Sequence, residues 1–265
     1  MIDKKVLRYI VALLIIWSVY ALLGIFVCSS YKIMSSSMEP TLKAGHRVYI
    51  NKLLLGARLR YSYRDCNGIY NEWFVRLKGI RRVRPNDIIC FNFPHCDNLM
   101  HIDFNKNLVY SKRVLGTPGS RIGAVDGHYW NDKYLKPIGS IKTQEDMRWM
   151  YDSVFIWNNC YEVLPETELN WNVKNWGPLY IPAKRAKIII DNNNRELYRQ
   201  IIEYELGDYL DEKVTEYVFK ENYYFVVGDN VINSNDSRYW GFIPEDFIIG
   251  IVGGRKVKNR QNQKM

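Results

Sequence analysis

Residues 35–42 read SSSMEPTL, and the rest of the chain is arranged around this stretch. Serine hydroxyls bond to nearby backbone groups, so clustered serines favour turns over the interiors of helices and strands. Pro40 also disfavours the helical conformation at Glu39. We therefore predict an exposed loop that presents hydroxyl groups beside a bilayer. A Ser/Pro turn alone is more often a linker than a reactive site, so its interpretation depends on the rest of the chain.

An apolar segment precedes this loop. The segment Tyr9–Cys28 contains no charged residue and is long enough to cross a membrane as a helix. Three basic residues lie before it, which predicts a cytoplasmic N-terminus and a remainder on the other side of the membrane. A cleaved secretory signal and a lipoprotein ending at Cys28 are less favoured, because the run is long and bulky Phe26 and Val27 precede that cysteine. Residues 1–29 are thus predicted to form a cytoplasmic tip and an uncleaved anchor.

Composition and charge bound the class of protein. The chain has 265 residues, of which 47% are hydrophobic, enough to bury a core and too many for a disordered tail. Residues 43–84 hold eleven Lys and Arg against Asp65 and Glu72, and so carry the whole formal net charge of +9. This stretch is either a solvated loop or a surface attracted to anionic lipid head groups. We predict contact with the membrane lipid surface and no nucleic-acid partner.

The cysteines leave the redox chemistry open. Outside the apolar segment, Cys66, Cys90, Cys96 and Cys160 could form up to two disulfides in an extracytoplasmic domain, with no pairing favoured by the sequence. A zinc site built from Cys90, Cys96 and two nearby histidines would have spacings unlike those of zinc fingers or ribbons. We predict no metal and no cofactor.

Secondary structure can be predicted along most of the chain. The polar turn over 228–238 is expected to re-enter an aromatic strand, and Glu196–Glu205 is the most plausible soluble helix, capped by the Asn192–Asn194 run. The basic stretch is expected to be mostly loop. Runs rich in β-branched and aromatic residues predict strands at 47–50, 88–93, 108–115, 188–190, 223–227 and 247–253.

A change in composition suggests the domain organisation. Residues 126–213 hold five of the eight tryptophans, many asparagines and tyrosines, and no catalytic combination of side chains. We interpret this stretch as an inserted subdomain. The catalytic core would then consist of residues 30–125 and 214–265.

Lys112 is the residue that suggests a chemistry. In the strand over 108–115 it shares a largely apolar face with Tyr110 and Val114. Such a lysine is usually at an edge or reaches solvent, but burial would lower its pKa toward the range useful for a general base. No histidine lies in a stretch where the general base of a Ser/His/Asp triad would be expected. A serine–lysine pair needs only a hydroxyl and a neutral amine, which Ser37 and Lys112 can supply.

Four stretches taken together resemble a known family. Behind the anchor, the chain reads SxSMxPTL, PNDIICF, YSKRVLGTPG and GDN followed by NSxDSRYWG, in that order. In this set the chain resembles bacterial type I signal peptidases, membrane-anchored serine endopeptidases that need no cofactor. The resemblance implies a mainly β fold, with an antiparallel β-sheet catalytic core, an inserted β-rich lobe and one N-terminal transmembrane helix.

The resemblance also implies roles and surroundings. Ser37 would be the nucleophile and Lys112 its general base, while the Ser35 hydroxyl and the Ser37 backbone N–H would form the oxyanion hole. Partners would be signal-peptide-bearing preproteins with a small-x-small motif, processed by a monomer in the bacterial cytoplasmic (inner) membrane with its catalytic domain outside. Supporting residues would be Ser234, which orients the lysine, and Asp236 and Arg238 behind it.

This chain departs from the family pattern at several positions. Val231 and Ile232 stand where many members carry Arg and Asp, Ser120 stands where Asp is frequent, and Ser36 replaces a common Gly. The alternatives are a specialised pilin-processing peptidase of the same family and a non-catalytic single-pass binding protein of the envelope. A self-cleaving serine–lysine repressor is disfavoured by the anchor.

Overall fold

The computed structural model describes residues 4–64, 70–95, 101–167 and 169–253. It opens with helix α1 (Lys4–Phe26), which buries none of its residues. In the described part of the chain, α1 is the one helix that is long and apolar enough to cross a membrane. The predicted apolar helix is therefore confirmed. The first strand starts at Cys28, so almost no linker separates α1 from the sheet.

Strands dominate the remainder of the described chain. The chain order gives β1 (Cys28–Lys32), β2 (Arg47–Asn51), β3 (Arg58–Arg64), β4 (Tyr70–Arg76), β5 (Ile88–Asn92), β6 (Val109–Gly116), β7 (Arg121–Val125), β8 (His128–Asn131), β9 (Trp176–Tyr180), β10 (Lys187–Ile189), β11 (Glu216–Val218), β12 (Tyr223–Val227), β13 (Ile243–Pro244) and β14 (Ile248–Val252). The strands predicted from sequence are all present within a few residues of their expected bounds.

One large sheet positions most of the residues of interest. Its strand order is β1-β2-β14-β5-β6-β12-β13, and its neighbouring strands pair antiparallel. Every residue of β12 is buried, as expected of a strand covered on both faces. A second sheet has the order β8-β7-β9. The mainly β, antiparallel fold class is confirmed.

The basic stretch is not simply a loop. Strands β3 and β4 form an antiparallel hairpin in which Arg58 pairs with Arg76 and Arg60 with Phe74. Cationic or polar residues alternate with Leu59 and Tyr61 there, and this period of two is the pattern of a strand. The density of charge concealed that alternation in the sequence.

The inserted stretch adds helices as well as strands. It contains α2 (Ile141–Trp149), α3 (Asp152–Trp157) and α4 (Arg195–Leu206). Helix α4 confirms the predicted helix and begins after Asn194, but that side chain accepts from the Asp191 N–H and donates to Ile189 O instead of capping the helix.

The polar turn near the C-terminus does not lead directly into a strand, contrary to expectation. It enters the short helix α5 (Ser237–Trp240), because the Asp236 carboxylate accepts the Arg238 backbone N–H at the helix start. Only then does the chain form β13.

The hydrophobic core is continuous between the main sheet and the inserted stretch. Trp176 of β9 packs on Phe225 of β12, with 5.5 Å between ring centroids. Ile201 and Ile202 of α4 are fully buried in the same cluster. The inserted stretch is therefore packed onto the sheet that carries Lys112, and its side chains can support that sheet from behind.

Candidate active site

Strand β6 delivers Lys112 into the interior. It lies between β5 and β12, and Lys112 pairs with Ile89 of β5. The Lys112 side chain is 4% exposed, and its amine donates a hydrogen bond of 2.8 Å to Ser234 Oγ. Burial lowers the pKa of Lys112 to about 8, against the opposing attraction of Asp236. Of the two sequence interpretations, edge lysine or buried lysine, the structure selects the second.

The serine loop is held closed at its base. The Ile33 N–H donates to His46 O and the Gly45 N–H donates to Ile33 O, both at 2.8 Å. Met38 is 1% exposed and fixes the loop in the core. Ser37 is buried at 8% exposure, so the expectation of a fully exposed loop is wrong for this residue. The reason is Met38, whose apolar side chain draws the loop inward.

Two serines of this loop face each other. The hydroxyl oxygens of Ser35 and Ser37 are 3.1 Å apart, within hydrogen-bonding distance. Ser37 and Lys112 line one cleft of about 450 Å³, whose walls are residues 31–34 and residues 107–112. The Ser37 hydroxyl pairs with Ser35, while the Lys112 amine pairs with Ser234.

The turn after β12 is tied to the serine loop. The Asn230 N–H donates to Ser37 O at 3.0 Å, and the Asn230 side chain donates to Ser36 O at 3.3 Å. Asn233 Nδ2 donates to the Ser36 hydroxyl at 3.0 Å. The serine that replaces a common family glycine thus makes a bond of its own. Sequence reasoning missed both asparagines, although they lie within the stretch that carried the resemblance.

Position 228 requires a glycine, because other groups of the site approach its Cα closely. A Cβ atom at this position would lie 2.1 Å from Ser234 Oγ and 2.5 Å from Ser37 O. Both distances are far below van der Waals contact. The absence of a side chain at Gly228 therefore lets the serine loop and the lysine's hydrogen-bond partner come together.

A buried ion pair lies behind Ser234. Arg238 donates to both carboxylate oxygens of Asp236, at 2.8 and 2.9 Å, and both side chains are completely buried. The Gly228 N–H donates to the same carboxylate at 2.8 Å. Burial alone would raise the pKa of Asp236, but the adjacent Arg238 guanidinium holds it below its usual range. This wall therefore places a charged carboxylate, paired with the Arg238 guanidinium, near the lysine.

A second ion pair was missed by sequence reasoning. Arg113, next to Lys112 in β6, donates to both carboxylate oxygens of Asp229, at 2.7 and 2.5 Å. Arg113 also donates to Asn86 O at 2.9 Å. The signal was present, since Arg follows Lys112 and Asp follows Gly228, but nothing in either stretch alone indicated the pairing. The pair fixes β6 against the turn that follows β12.

The cysteines differ from the expectation. Cys90 and Cys160 are free thiols with buried side chains, so the prediction of up to two disulfides is wrong as far as these two are concerned. Each lies in an apolar part of the core, which explains its burial. Cys66 and Cys96 lie outside the described residues. Within the described ranges, no three His, Cys, Asp or Glu side chains are placed to hold a metal ion.

Comparison with known proteins identifies relatives along nearly the whole chain. Residues 6–255 match the family model described as signal peptidase, peptidase S26. The chain is 28% identical over 238 residues to signal peptidase I of Buchnera aphidicola subsp. Schizaphis graminum, with coverage of 85% of this chain and 66% of that protein. It is 24% identical over 253 residues to signal peptidase IB of Staphylococcus aureus strain COL, with coverage of 96% and 90%.

A solved structure, signal peptidase I from Enterococcus faecalis V583, aligns with a TM-score of 0.33 and 18% identity, covering 66% of this chain and all of that chain. The family match spans far more than half of the sequence, and relatives named signal peptidase I recur. The chain therefore belongs to the signal peptidase family, peptidase S26, and with it to the serine protease hydrolases.

Proposed function

We propose that this protein is a membrane-anchored signal peptidase that cleaves signal peptides from preproteins with a serine–lysine dyad. The observation that carries the proposal is the buried Lys112 amine, held by Ser234 and sharing a cleft with Ser37. A lysine with a pKa of about 8 is neutral often enough near neutral pH to accept a proton.

Acylation begins with a change of hydrogen-bond partner. Rotation of the Ser37 side chain exchanges its contact with Ser35 for one with Lys112, which takes the hydroxyl proton. Ser37 Oγ then attacks the scissile carbonyl carbon, and the carbonyl oxygen becomes an oxyanion. The Ser35 hydroxyl, released from Ser37, and the Ser37 backbone N–H donate to that oxyanion.

The lysine completes both halves of the reaction. Protonated Lys112 gives its proton to the leaving amine as the C–N bond breaks, which leaves the signal peptide esterified to Ser37. Neutral Lys112 then takes a proton from water as the water oxygen attacks the ester carbon. The bond between that carbon and Ser37 Oγ breaks, Lys112 returns the proton to Ser37 Oγ, and the signal peptide leaves with a free carboxyl group. Ser234 and the Asp236–Arg238 pair hold the amine in place through both steps.

The substrate binds as an extended strand. Residues 31–34 form one wall of the cleft, and β1 is an edge strand of the main sheet whose outer side is open for pairing. Ile33 and Tyr110 supply apolar surface on opposite walls. A preprotein with small residues on either side of one intervening residue before the cleavage point fits such a cleft.

The proposal includes a location. Helix α1 anchors the chain in the cytoplasmic (inner) membrane, with the N-terminus inside and the catalytic domain on the extracytoplasmic side, where exported preproteins emerge. The enzyme acts as a monomer at the lipid surface.

Preprotein cleavage by matched variants tests the proposal. The detergent-solubilised full chain is incubated with a preprotein carrying an Ala-x-Ala site, beside Ser37→Ala and Lys112→Ala. We expect cleavage by the native chain and loss of at least about 1,000-fold in both variants, since removing either member of a catalytic unit removes its action. Exposed Ser153→Ala and Lys43→Ala, both outside the residues that line the cleft, serve as controls and should cleave normally.

Two outcomes would overturn it. Equal cleavage by the native chain and both site variants would exclude the dyad. A native chain that binds the preprotein but never cleaves it would instead indicate a non-catalytic envelope protein.

A further inference from the structure

A second cavity lies beside the catalytic cleft and is strongly cationic. It has a volume of about 330 Å³ and shares Tyr31, Asn107 and Val109 with the cleft. Its described lining residues include four cations and no carboxylate. These cations are Lys52, Arg58, Arg60 and Lys106.

The arginines are held in fixed positions. Arg58 donates to Asn92 Oδ1 and to Asp246 O, both at 2.6 Å. The guanidinium carbons of Arg58 and Arg60 lie 5.5 and 5.8 Å from the centre of the Phe104 ring. Asn92 also donates to Lys106 O at 3.4 Å, which connects the segment that carries Lys106 to the Asn92 side chain that holds Arg58. The cavity is therefore built by hydrogen bonds and ring contacts between several elements.

Positive charge in this cavity is only partly compensated. In the described part of the chain, Lys52, Arg58 and Lys106 take part in no salt bridge. Burial and the neighbouring Arg76 lower the pKa of Arg58 to about 10, although Asp246 opposes that shift from behind the cavity. Burial lowers the pKa of Lys52, and the positive charge of the nearby Arg58 lowers it further. An anion entering the cavity would relieve this repulsion.

The cavity lies at the end of the membrane helix. Lys52 Nζ donates to Gly24 O at 2.7 Å and to Ile25 O at 3.3 Å, both in the last turn of α1. The Lys52 backbone N–H donates to Val27 O at 2.9 Å. Lipid head groups lie where a membrane-spanning helix ends. Lys52, one of the four cations of the cavity, is thus at the depth of lipid phosphates.

We propose that the cavity lined by Lys52, Arg58, Arg60 and Lys106 binds the phosphate of an anionic phospholipid head group. Arginine donors suit phosphate oxygens because their planar fork matches that geometry. The bound lipid would hold the catalytic cleft at a fixed height above the membrane, because the two cavities share a wall. A soluble phosphate and an acidic stretch of preprotein are the competing occupants.

Native mass spectrometry of the full chain tests the site. The protein in detergent is mixed with equal amounts of phosphatidylglycerol and phosphatidylcholine, and the retained lipids are counted. The pocket variant is Arg60→Gln/Lys106→Gln, two exposed side chains whose loss leaves the core intact. The control Lys133→Gln/Lys136→Gln removes the same charge from two exposed lysines of the inserted stretch.

We expect the native chain to retain phosphatidylglycerol in preference to phosphatidylcholine. In the pocket variant this preference should fall about fivefold for each cation removed. The control should keep it. If both double variants lose the preference for phosphatidylglycerol equally, the effect is due to the overall charge of the protein and the proposed site is wrong. The proposal also fails if the native chain shows no preference between the two lipids.

Two further arms identify the occupant. Inorganic phosphate added at the lipid's concentration should leave the bound phosphatidylglycerol in place. If the phosphate displaces the lipid, the cavity binds a soluble anion instead. Cleavage of preproteins with and without acidic residues near the cut site is compared in lipid-free detergent. A pocket variant that alters only the acidic substrate, with lipid binding unchanged, would overturn the proposal in favour of a substrate contact.

Discussion

Lys112 owes its chemistry to its surroundings. A lysine on a strand is ordinarily charged at neutral pH, yet here the side chain is buried and its pKa falls to about 8. Its amine has one described hydrogen-bond partner, Ser234. Asp236 stops the pKa from falling further. The environment thus keeps the amine basic enough to take a proton and neutral enough to be available.

Ser234→Ala should slow catalysis without unfolding the protein. The substitution leaves the buried amine without its described partner, at a cost of about 1–3 kcal/mol, so we expect kcat/KM to fall roughly 5- to 150-fold. Steady-state cleavage of a preprotein measures it. Ser120→Ala is a matched control, because that serine is also buried and bonded, but to Thr117. Equal losses of kcat/KM in the two variants would contradict a positioning role for Ser234.

Gly228→Ala should abolish activity. Its new Cβ would lie 2.1 Å from Ser234 Oγ, so the serine and the amine it holds must move. Overpacking of this kind costs about 1–3 kcal/mol of stability, and the larger effect is on geometry. We expect a loss of kcat of at least about 100-fold, measured in single turnovers.

Gly253→Ala is the control, because among the described residues its Cβ would meet only Tyr49 O, at an ordinary 3.6 Å. Normal turnover by Gly228→Ala would show that the close approach has no functional importance.

Helix α2 supports the turn that follows β12. Thr143 Oγ1 donates at 2.6 Å to the backbone carbonyl of Asp229, the residue whose carboxylate pairs with Arg113. Val231 and Ile232 line a cavity together with Trp149 of α2 and its neighbours. Apolar residues at these two positions suit the apolar side chains of Trp149 and Met150 in that cavity. Residues of the inserted stretch therefore brace the turn that follows β12.

Thr143→Val should weaken this brace. The substitution preserves shape but removes the donor to Asp229 O, and the loss of one hydrogen bond is worth about 1 kcal/mol, or about fivefold in kcat. Thr167→Val removes a similar bond, to Leu164 O at 2.7 Å, away from the turn. Comparing kcat for the two variants checks the prediction. A larger effect from Thr167→Val would contradict it.

Elements differed in how well the sequence predicted them. Strands β6 and β12 have unambiguous runs of β-branched and aromatic residues, and both were predicted. The hairpin β3–β4 was missed because charge obscured its alternation. Helix α2 was not predicted. Its N-cap signal is present, because Ser140 accepts the Thr143 N–H, but the aromatic and polar residues around it obscured that signal. Local patterns therefore predicted strands and helices only where the run of residues was unambiguous.

Across the whole molecule, the Asp236–Arg238 pair links distant parts of the chain. Arg238 donates through its side chain to Val231 O at 2.8 Å, and its own carbonyl accepts the Leu164 N–H of the inserted stretch at 2.6 Å. Core, turn and inserted stretch thus meet at one buried guanidinium. Its position at 0% exposure makes it a structural centre of the fold.

Arg238→Met should destabilise the fold. It leaves the buried Asp236 carboxylate unpaired, which costs about 3–5 kcal/mol. Denaturant or thermal unfolding of the detergent-solubilised chain measures the change. Lys187→Met breaks the exposed pair with Glu216 and should cost less than about 1 kcal/mol. Similar stability losses in the two variants would contradict a central role for Arg238.

The proximity of distant stretches was beyond the reach of local sequence patterns. Nothing in the spacing of Ser37, Lys112 and Ser234 dictates that the first two share a cleft or that Ser234 bonds to the lysine. Only the family resemblance suggested it, because antiparallel strand order is set by tertiary packing and not by local pattern. The free thiols Cys90 and Cys160 illustrate the same limit, since their burial depends on neighbours far along the chain.

The pH dependence of single-turnover cleavage tests the central claim most directly, that a neutral Lys112 activates Ser37. Below its pKa the amine is mostly charged, so the rate should rise tenfold per pH unit and level off above an apparent pKa near 8. The profile is measured between pH 5.5 and 9.5 at roughly saturating enzyme. A flat profile over this range would contradict the account, as would a rate that still rises tenfold per pH unit at pH 9.5, which is expected for an exposed lysine with a pKa of about 10.4.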